Sequence, residues 1–266
     1  MRAVHLDYVR AGATVITTNT YSATFTRMAM VLAEARVPEL QRRACELACA
    51  ARDDAGAAGA DVAIAGCLPP LNGTYRPDRV RGFADNAAEY ARLAALQAPY
   101  VDLFLCETMS TAAEARAAVA AVMPFGKPVW VGWTLADDAP RLRSGETIAA
   151  AHSALADVPV AAVFANCCPP EIVGAAMPEL VATGVPAGGY ANGFTRIPAT
   201  YLPGRTLAQL ETRRDLDPDS YAAQALGWVA AGAKIVGGCC EVGPAHIARL
   251  RERLLTAGHV LVSARR

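Results

Sequence analysis

Apolar residues along this chain fall into short β-branched or aromatic runs separated by longer stretches of helical periodicity. Seven runs are near-continuous rather than alternating, which is the signature of strands buried on both faces. They cover residues 14–18, 61–64, 101–105, 128–131, 160–164, 185–190 and 234–236. Three of them follow an Ala-Gly-Ala step, at Gly12, Gly59 and Gly232. A glycine just past a helix fits the left-handed residue that closes it, so each step predicts a helix-to-strand turn. The stretches between the runs are helical. Over 220–231, Tyr221, Ala225, Trp228 and Val229 share one face, with Asp219 placed as the N-cap. The first eleven residues read as the tail of a helix with Val4 and Tyr8 facing inward, joined by Leu6 and Val9.

Strands alternating with helices imply a parallel sheet with helices outside it. At 266 residues the leading architecture is an α/β (β/α)8 TIM-type barrel, with residues 1–266 as one domain. An open doubly wound sheet is the alternative, but no Gly-x-Gly-x-x-Gly follows any strand. A right-handed βα unit would place a strand before the first helix. None is present, so the expectation is a barrel lacking its first strand. The reading frame is then expected to extend upstream of Met1 by about 10–30 residues.

In such a barrel the chemistry sits where strands end and βα loops begin. Two ends carry adjacent cysteines, Asn166-Cys167-Cys168 and Gly237-Gly238-Cys239-Cys240. Adjacent cysteines rarely bridge each other, because the geometry strains the peptide between them. Three or four thiols converging on one mouth suit a soft metal such as zinc, and three protein ligands would leave a coordination position open for catalysis. The competing reading makes them small core residues. Alternation along the fifth strand puts Val163, Ala165 and Cys167 on one face and Phe164, Asn166 and Cys168 on the other. With the bulky Phe164 assigned to the helix side, Cys167 faces the mouth. Cys67 is at a strand end and is open as a further ligand. Cys106 should face the helices, and Cys45 and Cys49 read as packing residues on an Ala-rich helix. Glu107 ends an apolar strand and either binds a ligand or caps the next helix. Asn19, Asn166 and Asn192 stand at strand ends as ligand-binding or loop-stabilising residues, and His246 reads as structural.

Charge and composition narrow the field. Twenty-five basic and 25 acidic residues balance, and no basic stripe marks a nucleic-acid surface. No run of 18 apolar residues marks a membrane span. Eight cysteines without a secretory leader suit the reduced cytoplasm. Only Lys127 and Lys234 are lysines, and neither ends a strand, which argues against a Schiff-base aldolase.

These residues resemble the homocysteine S-methyltransferases. The segment from His5 to Ala13, running into Ile16-Thr17-Thr18-Asn19-Thr20-Tyr21, is similar to the family's first well-marked stretch. Glu107-Thr108, Asn166-Cys167 and Gly237-Gly238-Cys239-Cys240 are similar to its later motifs, in order. The resemblance implies a zinc held by Cys167, Cys239 and Cys240, with the homocysteine thiolate in the fourth position. It implies that Glu107 binds the homocysteine ammonium group, that Asn166 belongs to the substrate site and that Tyr21 lies near the methyl donor. It implies methyl transfer giving methionine, from S-methylmethionine or another sulfonium, or from betaine. Trp133, Tyr190 and Tyr21 are candidates to hold a cationic donor. The family's opening strand, ending in Asp-Gly, is not matched. That gap supports a competing expectation, a non-catalytic zinc-thiolate barrel with a structural or redox-sensing role.

Overall fold

The computed structural model describes residues 1–198 and 210–265. Helix α1 (Arg2–Ala11) leads into β1 (Val15–Thr17), α2 (Phe25–Ala29) and α3 (Val37–Asp54). Then β2 (Ala63–Leu68), α4 (Phe83–Gln97), β3 (Leu103–Met109), α5 (Ala112–Val122) and β4 (Val129–Trp133) follow. The chain continues through α6 (Ile148–Ser153), β5 (Ala162–Asn166), α7 (Pro170–Val181), β6 (Ala187–Ala191), α8 (Pro218–Ala230), β7 (Ile235–Gly238) and α9 (Pro244–Thr256).

All seven expected strands form. They pair in parallel in the order β1-β2-β3-β4-β5-β6-β7, and among the described residues β7 and β1 share no ladder. The helices cover the outside, and α1 packs against both α3 and α9. The result is a TIM-type barrel wall of seven strands among the described residues, with α1 seated in the helix layer. Beyond α9 the chain passes under the sheet: Ser263 Oγ donates to the Asp61 carbonyl, and Arg265 donates to that of Ala60 at 3.0 Å.

Two apolar layers hold the wall. The inner one joins Ala63, Ala65, Leu103, Leu105, Trp130, Ala162 and Phe164. The outer one packs Ile64, Phe104, Val131, Val163, Ala165 and Trp133 against the helices, with Tyr221, Ala225 and Trp228. Phe164 therefore lies inside the barrel and Val163 and Ala165 outside, the reverse of the expected phase. The interior has room because a neighbouring position is glycine. A Cβ on Gly188 would stand 2.7 Å from the Phe164 ring. Trp133, a candidate for the donor, belongs to the outer layer and is fully buried there.

Local expectations fared unevenly. Gly12 and Gly232 are left-handed, with φ of 100° and 113°. Gly59 is not, with φ −86°. It is glycine because a Cβ would sit 1.9 Å from the Arg52 carbonyl oxygen. The N-cap of α8 is Asp217, which accepts from Ser220 N at 2.8 Å, not Asp219. Pro218 fits the first helical position, where no N–H is needed. In α1 Val9 is buried and Tyr8 packs partly buried against the core, as expected; His5 is buried beside them, while Val4 is 44% exposed.

Candidate active site

The C-terminal ends of β2, β3, β5, β6 and β7 build one mouth. Along β3 the inner phase runs Leu103, Leu105, Glu107, which leaves Cys106 against the helices, fully buried. Glu107 receives a hydrogen bond from Cys67 Sγ at 2.9 Å, and Tyr190 Oη lies 3.5 Å from its other oxygen. Both neighbours are neutral donors. Burial pushes the Glu107 carboxyl up to about 7, with the charge of Cys167 adding to the rise and these two hydrogen bonds opposing it. The helix-cap reading of Glu107 falls away, because Thr111 caps α5, its Oγ1 accepting from Glu114 N at 3.0 Å.

After Glu107 the strand kinks. Thr108 is left-handed, φ 61°, and the register against β4 shifts between Cys106 and Met109. Such a conformation costs a β-branched residue about 1–3 kcal/mol and needs outside support. Asn166 provides it. Its Oδ1 accepts from Thr108 N at 3.0 Å and its Nδ2 donates to Thr108 Oγ1 at 2.9 Å, with the side chain fully buried. Asn166 was expected at the substrate. Both ends of its amide are engaged by Thr108, so it braces the turn that carries Glu107. Gly132 leaves the space: a Cβ there would lie 2.7 Å from Asn166 Oδ1 and 2.9 Å from Tyr190 Oη.

The next residue, Cys167, is also left-handed, φ 51°. This breaks the alternation of β5 and swings Cys167 into the mouth, while Cys168 stays in the outer core, fully buried. The expected placement of the two cysteines is met, but by a backbone reversal and not by strand phase. Opposite them, Cys239 N donates to Ala191 O at 2.9 Å and Gly193 N to Cys240 O at 2.9 Å. Tyr8 Oη donates to Val242 O at 2.7 Å, and Tyr221 Oη to Gly237 O at 2.7 Å. Gly238 admits the return of the loop, since a Cβ would meet Val242 Cγ1 at 2.1 Å.

These supports bring Cys167, Cys239 and Cys240 together with all three sulfurs within 4.8 Å of one another. Cys240 Sγ lies 3.9 Å from each of the other two. A tetrahedral zinc with Zn–S bonds of about 2.3 Å requires sulfurs about 3.8 Å apart, so the donor set fits that ion in both chemistry and spacing. Without a cation the three cannot all ionise. Hydrogen bonds from Cys239 and Cys240 hold the Cys167 thiol well below its ordinary value, Tyr75 and Asn192 add to this, and burial opposes it. The same hydrogen bonding and burial push Cys239 and Cys240 up. A dication would relieve that competition.

Cys67 points at Glu107 and lies outside the three-sulfur group. All eight cysteines are free, with Cys45 fully buried and Cys49 donating to the Tyr100 carbonyl at 3.6 Å. His246 is structural, Nδ1 accepting from Gly243 N at 3.2 Å and Nε2 lying 3.0 Å from Leu216 O. Tyr21 is near enough that Cys167 and Glu107 help burial raise its phenol. One face of its ring is already covered by the Arg27 guanidinium, 5.1 Å from the centroid. Tyr75 escaped the sequence reading. It sits between β2 and α4, 6% exposed, with Oη 2.9 Å from Cys167 Sγ. No periodicity or strand end singles it out. Phe194, Ile197 and Leu210 complete an apolar cover over Tyr75 and the sulfurs.

A family model described as homocysteine S-methyltransferase matches residues 1–254. The homocysteine S-methyltransferase of Escherichia coli (strain K12) is 32% identical, covering 95% of this chain and 84% of the relative. Homocysteine S-methyltransferase YbgG of Bacillus subtilis (strain 168) is 28% identical over 93% of this chain and 81% of its own. The metallated form of the homocysteine methyltransferase MmuM from Escherichia coli superposes with a TM-score of 0.77 at 28% identity, covering 95% and 83% of the two chains. No helix among the described residues is long and apolar enough to cross a membrane.

Proposed function

The chain belongs to the homocysteine S-methyltransferase family, and from that premise we propose that it methylates homocysteine at a zinc held by Cys167, Cys239 and Cys240. The observation that carries this reading is the three-sulfur group at zinc spacing beside a buried carboxylate. Bound there, zinc would hold the substrate sulfur as thiolate at neutral pH, where a free alkyl thiol of pKa about 8.5 is only about 3% ionised. The rest falls to the chain's own residues. Glu107, raised by burial and flanked by neutral donors, gains a counter-charge when the homocysteine ammonium docks beside it. Asn166 and Thr108 fix the strand end that aims it. The apolar side chains of Phe194, Ile197 and Leu210, packed against Cys167, Cys239 and Cys240, would limit the access of water to the reacting atoms.

The donor carries a methylated onium centre, the sulfonium of S-methylmethionine or a similar compound, or else the quaternary ammonium of betaine. The homocysteine sulfur attacks the methyl carbon from behind. The S–C bond forms as the donor's bond to the methyl breaks, and the electron pair stays on the departing sulfur or nitrogen. Holding the two in line within about 3.5 Å is worth up to roughly 7–11 kcal/mol. Eight free thiols fit a protein of the cytoplasm.

The test is methionine formation from homocysteine with S-methylmethionine or betaine, before and after zinc removal by a strong chelator. The expected result is donor-dependent methionine that disappears with the metal. A zinc-loaded protein that makes none with either donor would return it to the non-catalytic zinc-thiolate reading.

A further inference from the structure

An enzyme that lines up sulfurs beside an electrophilic methyl group must decide which sulfur is methylated. Every ligand cysteine is itself a nucleophile, and methylating one leaves an uncharged thioether that binds metal poorly. The three cysteines are not equivalent in this structure. The sulfur contacts of Cys239 and Cys240 are with each other and with Cys167. Cys167 has in addition a phenol against it, with Tyr75 Oη 2.9 Å from its Sγ in a buried contact. A metal-bound cysteine sulfur carries no proton, so in the loaded site the phenol is the donor.

That phenol is held from several sides. Tyr75 takes a left-handed backbone, φ 65°. The Arg143 guanidinium lies 4.6 Å from its ring centroid. Arg143 is in turn paired with Asp137 at 2.6 Å, and the other oxygen of Asp137 accepts from Ile197 N at 2.7 Å. Loops after β2, β4 and β6 thus converge to press one hydroxyl onto one sulfur.

We propose that Tyr75 is a positioning residue that keeps Cys167 a ligand and not a nucleophile, so that the methyl group goes to the substrate sulfur. Resting on the zinc reading above, the argument is one of differential stabilisation. Attack by Cys167 would form an S–C bond with a sulfur lone pair, break the donor's bond to the methyl and release that electron pair on the leaving group. The sulfur loses its negative charge as it does so. A hydrogen bond to the charged sulfur is strong in the ground state and fades along that path, which slows methylation at Cys167. With its hydroxyl committed to Cys167, Tyr75 would give the substrate sulfur no such tether.

The experiment treats zinc-loaded wild type, Tyr75→Phe and Tyr100→Phe with methyl methanesulfonate in the absence of homocysteine. Methylation at each cysteine is followed by peptide mass spectrometry, with zinc content measured in parallel. Tyr100→Phe is the control, because Tyr100 stands just ahead of β3, at the end of the strands opposite the sulfurs. In Tyr75→Phe, zinc should be retained and the methylation rate of Cys167 relative to Cys240 should rise about five- to tenfold. In Tyr100→Phe the ratio should stay at the wild-type value. An unchanged ratio in Tyr75→Phe, loss of zinc from it, or an equal rise in Tyr100→Phe overturns the proposal. A wild type that holds no zinc overturns the underlying metal reading, and this proposal with it, before any variant is compared.

Discussion

Replacing Asn166 by alanine tests whether the brace behind Glu107 has the importance its geometry implies. The substitution removes two buried hydrogen bonds, 3.0 Å from Thr108 N and 2.9 Å to Thr108 Oγ1. A typical bond contributes about 1 kcal/mol net, and a buried N–H left without a partner costs about 1–3 kcal/mol. Thr108 is 1% exposed, so water cannot readily take the place of the amide. The expected loss is therefore about 2–4 kcal/mol. For a chain of this size that lowers Tm by roughly 5–15 °C. Thr108→Gly separates the contributions, because it removes the strained left-handed threonine together with its hydroxyl. In that background Asn166→Ala should cost about 1–2 kcal/mol less, a coupling that a double-mutant cycle in urea resolves. The functional readout runs in parallel. With the turn free to relax, KM for homocysteine should rise while zinc content holds. A stability change under about 0.5 kcal/mol with an unchanged KM would refute the brace and return Asn166 to direct contact with substrate.

Further outcomes follow from the same mouth. Glu107→Ala should raise KM for homocysteine by about 10- to 150-fold, the worth of a partly dry ammonium–carboxylate contact, with zinc content little changed; an unaltered KM would remove Glu107 from the substrate site. Because its carboxyl is raised from 4.5 to about 7, the ionised form that meets the ammonium fills as pH rises through 7. KM should then fall from pH 6 to 8 in wild type, and this trend should vanish in Glu107→Ala. By the same sign, the stability that protonated Glu107 contributes is full below 4.5 and lost as pH rises through 7, which urea unfolding of the metal-free protein across that window would detect. Gly132→Ala should place a methyl group 2.7 Å from Asn166 Oδ1 and 2.9 Å from Tyr190 Oη. It is expected to cost about 1–3 kcal/mol of stability and to raise KM, and wild-type values of both would show that the mouth relaxes freely.

Much of this architecture was legible because parallel strands are written as short apolar runs. All seven were, and the two cysteine pairs fell at strand ends whose loops share one face. What failed was finer. The phase of β5 was inverted because bulky Phe164 was placed outside, whereas Gly188 beside it opens room inside the barrel. The left-handed backbone at Cys167 then restored the expected outcome by a route that no period-two argument contains. Trp133 was drawn into the mouth by its strand-end position, yet its side chain points to the helix layer. Tyr75 had no local signal. Its role comes from the close approach of a loop to a cysteine 92 residues further along the chain, and a single sequence does not show which loops converge.

The proposed zinc on Cys167, Cys239 and Cys240, and its part in methyl transfer to homocysteine, are tested by comparing two neighbouring cysteines. Zinc content and homocysteine-dependent methionine formation are measured in wild type, Cys167→Ser and Cys168→Ser. Wild type should hold about one zinc per chain and make methionine, and Cys167→Ser should lose both. Cys168→Ser should keep both, at some cost in stability because its sulfur is buried in the outer core. Full zinc retention and activity in Cys167→Ser, or their loss only in Cys168→Ser, would contradict the account.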